Sequence, residues 1–265
     1  MTAVNPARLR FQIQGLVSFF NAPVEFHQRL RDLFSLYANY ALRFGEMTPS
    51  RPLIPMYHLP HPVKRQLILD LKPHIESNPE AALLIADQLW SDEYYEIKGT
   101  AILIIDALPL DDPQPILERL HEWLIPSLDN VLRTELLLAA THKLQKNFLE
   151  AWESLIYSLL NQTDPEMVAL GIQGLSESTK DPDFKNLPAV FRLASPFIRN
   201  PHSAYIRDLE GLIEAMADLS PQETGYFIKQ ILSMSTSPET VRLVKSCLSA
   251  FPEAIQADLK STLYK

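Results

Sequence analysis

Asp92-Glu-Tyr-Tyr-Glu-Ile-Lys98 decides the fold, because the chain repeats its design four more times. The later copies are Asp129-Asn-Val-Leu-Arg133, Asp164-Pro-Glu-Met-Val-Ala169, His202-Ser-Ala-Tyr-Ile-Arg207 and Ser237-Pro-Glu-Thr-Val-Arg242. Each opens with a capping or breaking residue and then turns apolar at helical spacing. Aligned on Lys98, Arg133, Ala169, Arg207 and Arg242, the copies are 35, 36, 38 and 35 residues apart, and four of the five anchors are basic. Asp or Ser before Pro supplies an oxygen acceptor at the N-cap, and proline sits where its missing N–H costs nothing. In the last copy Val241, Val244, Leu248 and Phe251 step by three and four, which is one face of a helix.

Between these segments lie five other apolar-periodic runs, 79–90, 114–125, 148–160, 184–198 and 222–234. Each unit is therefore read as a helical hairpin, whose apolar stripe is buried only when neighbours stack. The period and the basic anchor fit HEAT-like repeats better than tetratricopeptide repeats, whose Trp, Leu-Gly and Tyr pattern is missing. Residues 1–60 do not follow the period. They read as two helices, 7–20 and 23–44, and a proline-rich loop, 48–62, ahead of a helix over 63–75. The expected architecture is all-α: a right-handed solenoid of about six hairpins in one domain, 1–265, with 1–60 as an N-terminal cap and 61–265 as repeats.

Composition agrees. Seven glycines against 21 prolines leave little material for tight hairpins or glycine-rich phosphate loops. The single Cys247 excludes an internal disulfide and a cysteine-based zinc site. The longest apolar stretch, Ala81–Ala86, is far short of the roughly 20 residues that span a bilayer. Leu16–Phe20 ends at Asn21 and is too short for a secretory signal. A cytoplasmic protein without a membrane partner is the expectation. A net charge of −8 argues against a nucleic-acid partner, because phosphates want a basic face.

Several constellations have ordinary readings. In His58-Leu-Pro-His61 the proline prevents the helical spacing that would aim two imidazoles at one metal, and no cofactor or metal is expected. Trp90, Trp123 and Trp152 lie on apolar stripes and are expected in the core. Gly171-Ile-Gln-Gly174 lies inside a helix, where small residues let helices approach closely. Tyr94 and Tyr95 are expected to be partly buried, with a stacking or binding role as the alternative.

His61-Pro-Val-Lys-Arg-Gln-Leu-Ile-Leu-Asp-Leu71, then Leu89-Trp90 followed by Glu96 and Ala101, then Ile206-Arg207 followed by Gly211, resemble in order three segments of the AlkD-like DNA alkylation repair proteins. The resemblance spans residues 55–250. It implies a HEAT-like solenoid and a glycosylase that removes alkylated bases without a flipped-base pocket. The family's working positions depart from the pattern. Ser127-Leu-Asp-Asn-Val-Leu132 matches its Trp-Trp-Asp-x-Val-Asp segment, so the catalytic aspartate falls on Leu132. The tryptophan and arginine that face DNA fall on Leu212 and Ala215, and a further arginine falls near Ala169 or Leu170. Leucine cannot stabilise the oxocarbenium charge that a carboxylate stabilises.

Two readings of function follow. One is a binding or scaffold protein on this frame without glycosylase activity. The other is a glycosylase with a relocated carboxylate, for which Asp129 and Glu135 are the catalytic candidates. Candidate binding residues are Arg133, Arg207, Tyr94 and Tyr95. Arg133, Arg207 and Arg242 are expected as partly buried anchors, and Asp129 as an N-cap. The five repeat segments carry a net charge of −7, with Asp208, Glu210, Glu214 and Asp218 crowded on one helix. A protein partner on the concave face is therefore expected to be basic or neutral. Duplex DNA is the alternative partner, over a stripe of Lys64, Arg65, Arg133, Lys143 and Lys146. Oligomeric state is not legible.

Overall fold

The computed structural model describes residues 5–39, 52–109, 111–234 and 237–263. Within them the protein is all-helical and no strand is present among the described residues. The chain divides into two compact units, 1–143 and 144–265.

In the first unit the helices are α1 (Pro6–Val17), α2 (Pro23–Tyr37), α3 (His61–Ser77), α4 (Pro79–Trp90), α5 (Tyr95–Ala107) and α6 (Gln114–Trp123); α7 (Asn130–Asn147) contains the boundary. In the second they are α8 (Leu149–Leu160), α9 (Pro165–Lys180), α10 (Leu187–Arg199), α11 (Ile206–Leu219), α12 (Pro221–Met234), α13 (Pro238–Ser246) and α14 (Glu253–Leu263). Expected helices are present with shifted ends: α3 extends beyond 63–75 on both sides, whereas α6 stops at Trp123. Helix α1 stops at Val17 and α2 at Tyr37, while the remainder of the second expected helix, from residue 40, lies outside the described residues, as does the loop over 48–51.

The ends are set by local chemistry. Asn5 Oδ1 accepts the N–H groups of Ala7 and Arg8 at 3.0 and 3.2 Å, and Asp164 Oδ1 accepts that of Glu166 at 2.9 Å, with Pro165 in the first turn. His202 Nδ1 takes the N–H of Ala204 at a 3-10 turn, Ser203–Tyr205, that leads into α11. Ser237 departs from its expected part as an acceptor cap: its hydroxyl donates to Glu239 at 2.7 Å.

Alternate helices lie side by side. In the first unit α1 packs on α3 and α3 on α5, while α2 packs on α4. In the second, α9 packs on α11 and α11 on α13, while α10 packs on α12 and α12 on α14. The apolar stripes meet between these two layers: Phe26, Leu30, Leu67, Leu71 and Ile85 are buried in the first unit, and Trp152, Ile172, Leu175, Val190 and Ile228 in the second. At Gly171 an added Cβ would lie 3.0–3.2 Å from Leu159 and Leu160, so glycine there lets α8 and α9 approach closely, as expected.

Hydrogen bonds that cross between like-placed helices recur at the period of the sequence. Lys143 Nζ donates to the Leu108 carbonyl at 2.6 Å, 35 residues away, in the first unit. In the second, Gln173 donates to Asp208 at 2.8 Å across 35 residues, and Ser246 donates to Glu210 at 2.6 Å across 36.

Candidate functional site

The chemistry that the resemblance assigns to residues 127–132 belongs at the start of α7. Asp129 and Glu135 lie here, beside Tyr95 of α5 and the loop that precedes α3. Asp129 is an N-cap. Its Oδ1 accepts the N–H of Val131 at 2.9 Å, and its Oδ2 accepts the N–H of Leu53 at 2.8 Å, from the proline-rich loop. Glu135 accepts the Tyr95 hydroxyl at 2.5 Å. Burial, then this bond and the negative charges of Glu135, Glu96 and Asp129, push the Tyr95 phenol well above its ordinary range. Lys64 Nζ sits over the Tyr95 ring at 5.2 Å.

A third carboxylate organises the same loop. Glu96, in the first turn of α5, is buried, and it accepts the N–H groups of Tyr57 at 2.9 Å, His58 at 2.8 Å and Leu59 at 3.4 Å. The Pro55 carbonyl in turn accepts the N–H of Tyr95 at 2.9 Å. His58 has φ of 55°, a left-handed conformation that costs a non-glycine residue about 1–2 kcal/mol. The Glu96 bonds on either side of it fix that turn. In the sequence Glu96 belongs to the repeat motif and the resemblance, and Glu93-Tyr-Tyr-Glu96 reads at most as a polar rim; its grip on the loop has no local signal, because the partners lie 37 to 39 residues upstream.

Tyr94 is half-buried. It stacks on the buried Tyr57 at 4.3 Å, and the Arg31 guanidinium covers it at 5.3 Å. Below this pair the fully buried Asp92 carboxylate meets His27 Nε2 at 2.5 Å and accepts the Tyr94 N–H at 2.8 Å. Gln88 Nε2 lies 3.3 Å from His27 Nδ1. Both ring nitrogens are engaged, and the pair joins α2, α4 and the start of α5.

The three arginine anchors separate. Arg133 is 2% exposed, and its Nη1 donates to the Pro126 carbonyl at 3.2 Å. It is a buried anchor that holds the turn leading into α7. Arg207 and Arg242 are exposed, contrary to expectation. Arg207 stands in the first turn of α11 on the side away from buried Leu209, Leu212, Ile213 and Met216, so repeat position alone did not bring it into the core. Arg207 lies in the second unit, whereas Asp129, Glu135, Tyr94 and Tyr95 gather in the first.

Leu132 and Leu212 are 0% exposed and Ala215 is 7% exposed. These positions point into hydrocarbon. The basic stripe proposed for DNA is also largely spent: Arg133 is buried, half-buried Lys143 holds the Leu108 carbonyl, and Lys146 pairs with Asp181 at 3.3 Å. On α11, Glu210, Glu214 and Asp218 follow one another at four-residue steps, with Glu214 and Asp218 exposed.

No family model, curated protein or solved structure matches the chain.

Proposed function

We propose that the protein is a helical-repeat binding or scaffold protein built on the HEAT-like frame of the AlkD-like repair proteins, without glycosylase activity. The observation that carries this is the burial of Leu132, Leu212 and Ala215, the positions to which the resemblance assigns the catalytic and DNA-facing groups. A carboxylate placed at Leu132 would be buried in apolar surroundings. The two carboxylates that could replace it already serve as acceptors, Asp129 for an N-cap and the Leu53 N–H, and Glu135 for the Tyr95 hydroxyl.

The 35–36-residue separation of the cross-helix hydrogen bonds supports a repeat architecture, in which like-placed helices of successive hairpins stack. The Glu210, Glu214 and Asp218 stripe favours a basic or neutral protein partner on the face that α11 presents. The test is incubation with alkylated duplex DNA and an assay of released base, beside the Asp129→Asn variant. No release is expected from either protein. Release by the wild type that Asp129→Asn abolishes establishes the glycosylase with a relocated carboxylate instead.

A further inference from the structure

A trough of about 690 Å³ runs between α10 and α12 on the layer opposite the acidic stripe. Phe191 of α10 and Phe227 of α12 stack at 4.3 Å and 15°, and with Ile231 they make an apolar floor. The α12 wall carries Tyr226 and Met234, 65% and 66% exposed. Two such side chains left in water on one wall contrast with Phe227, Ile228 and Ile231 of the same helix, which are buried. The α10 wall carries Arg192 and Arg199. They are seven residues apart, two helical turns, which places them about 10 Å apart along one side of the trough.

The charge of the lining is opposite to that of the molecule. Two guanidinium groups face one carboxylate, Glu223, in a chain of net charge −8. Arg192 is paired with Glu153 on its far side, but its side chain is 67% exposed, and an exposed pair contributes only about 0–1 kcal/mol. It can exchange that partner for another carboxylate. Arg199 Nη2 rests on the Met234 thioether at 3.1 Å, which ties one cation to the rim of the apolar surface.

We propose that this trough docks an acidic amphipathic helix of a partner protein. Its apolar stripe lies on Phe191, Phe227, Tyr226 and Met234, and carboxylates two turns apart meet Arg192 and Arg199. A helix fits the geometry because two helices bound the trough, and its apolar anchors at i, i+3 or i+4, and i+7 match two turns of α12 from Tyr226 to Met234. Methionine on the wall adapts to the shape of the anchors. A nucleic-acid strand is disfavoured by Glu223 and by the shortness of a two-arginine row, since phosphate binding draws its affinity from many neutralised charges.

The test uses the full chain and a fluorescent helix-forming peptide of about 14 residues, four turns. The peptide carries leucines at i, i+4 and i+7 and two glutamates seven residues apart on one flank. Fluorescence anisotropy is expected to show saturable binding. Tyr226→Ala and Met234→Glu, with helix content unchanged by circular dichroism, are expected to weaken it at least tenfold. Arg192→Glu combined with Arg199→Glu is expected to reverse preference, so that a lysine version of the peptide binds better than the glutamate version. Absence of saturable binding to the wild type, or binding that Met234→Glu leaves intact, overturns the proposal. Oligothymidylate that binds, displaces the peptide and is itself lost in Tyr226→Ala assigns the trough to nucleic acid and also overturns it.

Discussion

At the scale of single residues, the groups that look chemical in this protein are mostly spent on holding backbone. Glu96 is the clearest case. A buried carboxylate that accepts three backbone N–H groups replaces water for all of them, and its loss leaves donors stranded. Glu96→Ala is expected to lower stability by about 3 kcal/mol in urea denaturation, and Glu96→Gln by less, because an amide keeps one acceptor oxygen. The arginines make a matched pair of tests. Arg133→Ala removes a buried side chain and strands the Pro126 carbonyl, at a cost of about 3 kcal/mol. Arg207→Ala, on an exposed face, should change stability by less than about 0.5 kcal/mol. Equal melting shifts for the two variants would contradict the burial difference. Tyr95 gives a pH signature. Its phenol holds its proton more tightly in the folded protein than in the unfolded chain. The stability it contributes is therefore full below the ordinary phenol range and is lost as pH rises above about 10. Tyr95→Phe should flatten the alkaline fall in melting temperature; a variant that melts along the wild-type curve would show that the fold does not hold the phenol's proton.

At the scale of elements, helix positions were legible because the apolar period and the caps are local. Pro79–Trp90 matches its expectation fully. Ends moved where a third partner intervened. Helix α5 begins at Tyr95 although Asp92 opens the motif: one Asp92 oxygen accepts the Tyr94 N–H ahead of the helix, and the other meets His27 of α2, 65 residues away. The close contacts between helices are also tertiary facts. In α12, a Cβ on Gly225 would lie 2.6 Å from Ile255 Cγ2 of α14, a stiff β-branched side chain. Overpacking of this kind costs about 1–3 kcal/mol, which exceeds the roughly 1 kcal/mol that alanine gains over glycine in a helix. Gly225→Ala is expected to destabilise, and Gly99→Ala in α5, where nothing lies within 4 Å, to stabilise. A rise in the melting temperature of Gly225→Ala would refute the α12–α14 contact.

At the scale of the whole molecule, the net charge of −8, the burial of Arg133 and the pairing of Lys143 with the Leu108 carbonyl and of Lys146 with Asp181 predict poor duplex binding. A titration at about 50 mM salt should be weak and nearly flat with added salt, whereas a true phosphate interface loses affinity at a log–log slope of roughly −0.9 per neutralised phosphate. A steep slope would show a basic face despite the total. Among the described residues no helix is long and apolar enough to cross a membrane, as the short apolar runs led one to expect. The sequence by itself determined the all-helical class, the placing of the helices and the 35–38-residue period, because capping, proline exclusion and apolar spacing act over a few residues and recur along the chain. Only the tertiary structure decided that Glu96 clamps the loop at residues 57–59, that Arg133 is buried while Arg207 is not, and that α10 and α12 leave an aromatic trough between them. Those outcomes depend on which distant side chain completes each polar group or fills each gap. Burial and pairing are properties of neighbours in space, and repeat position leaves them open.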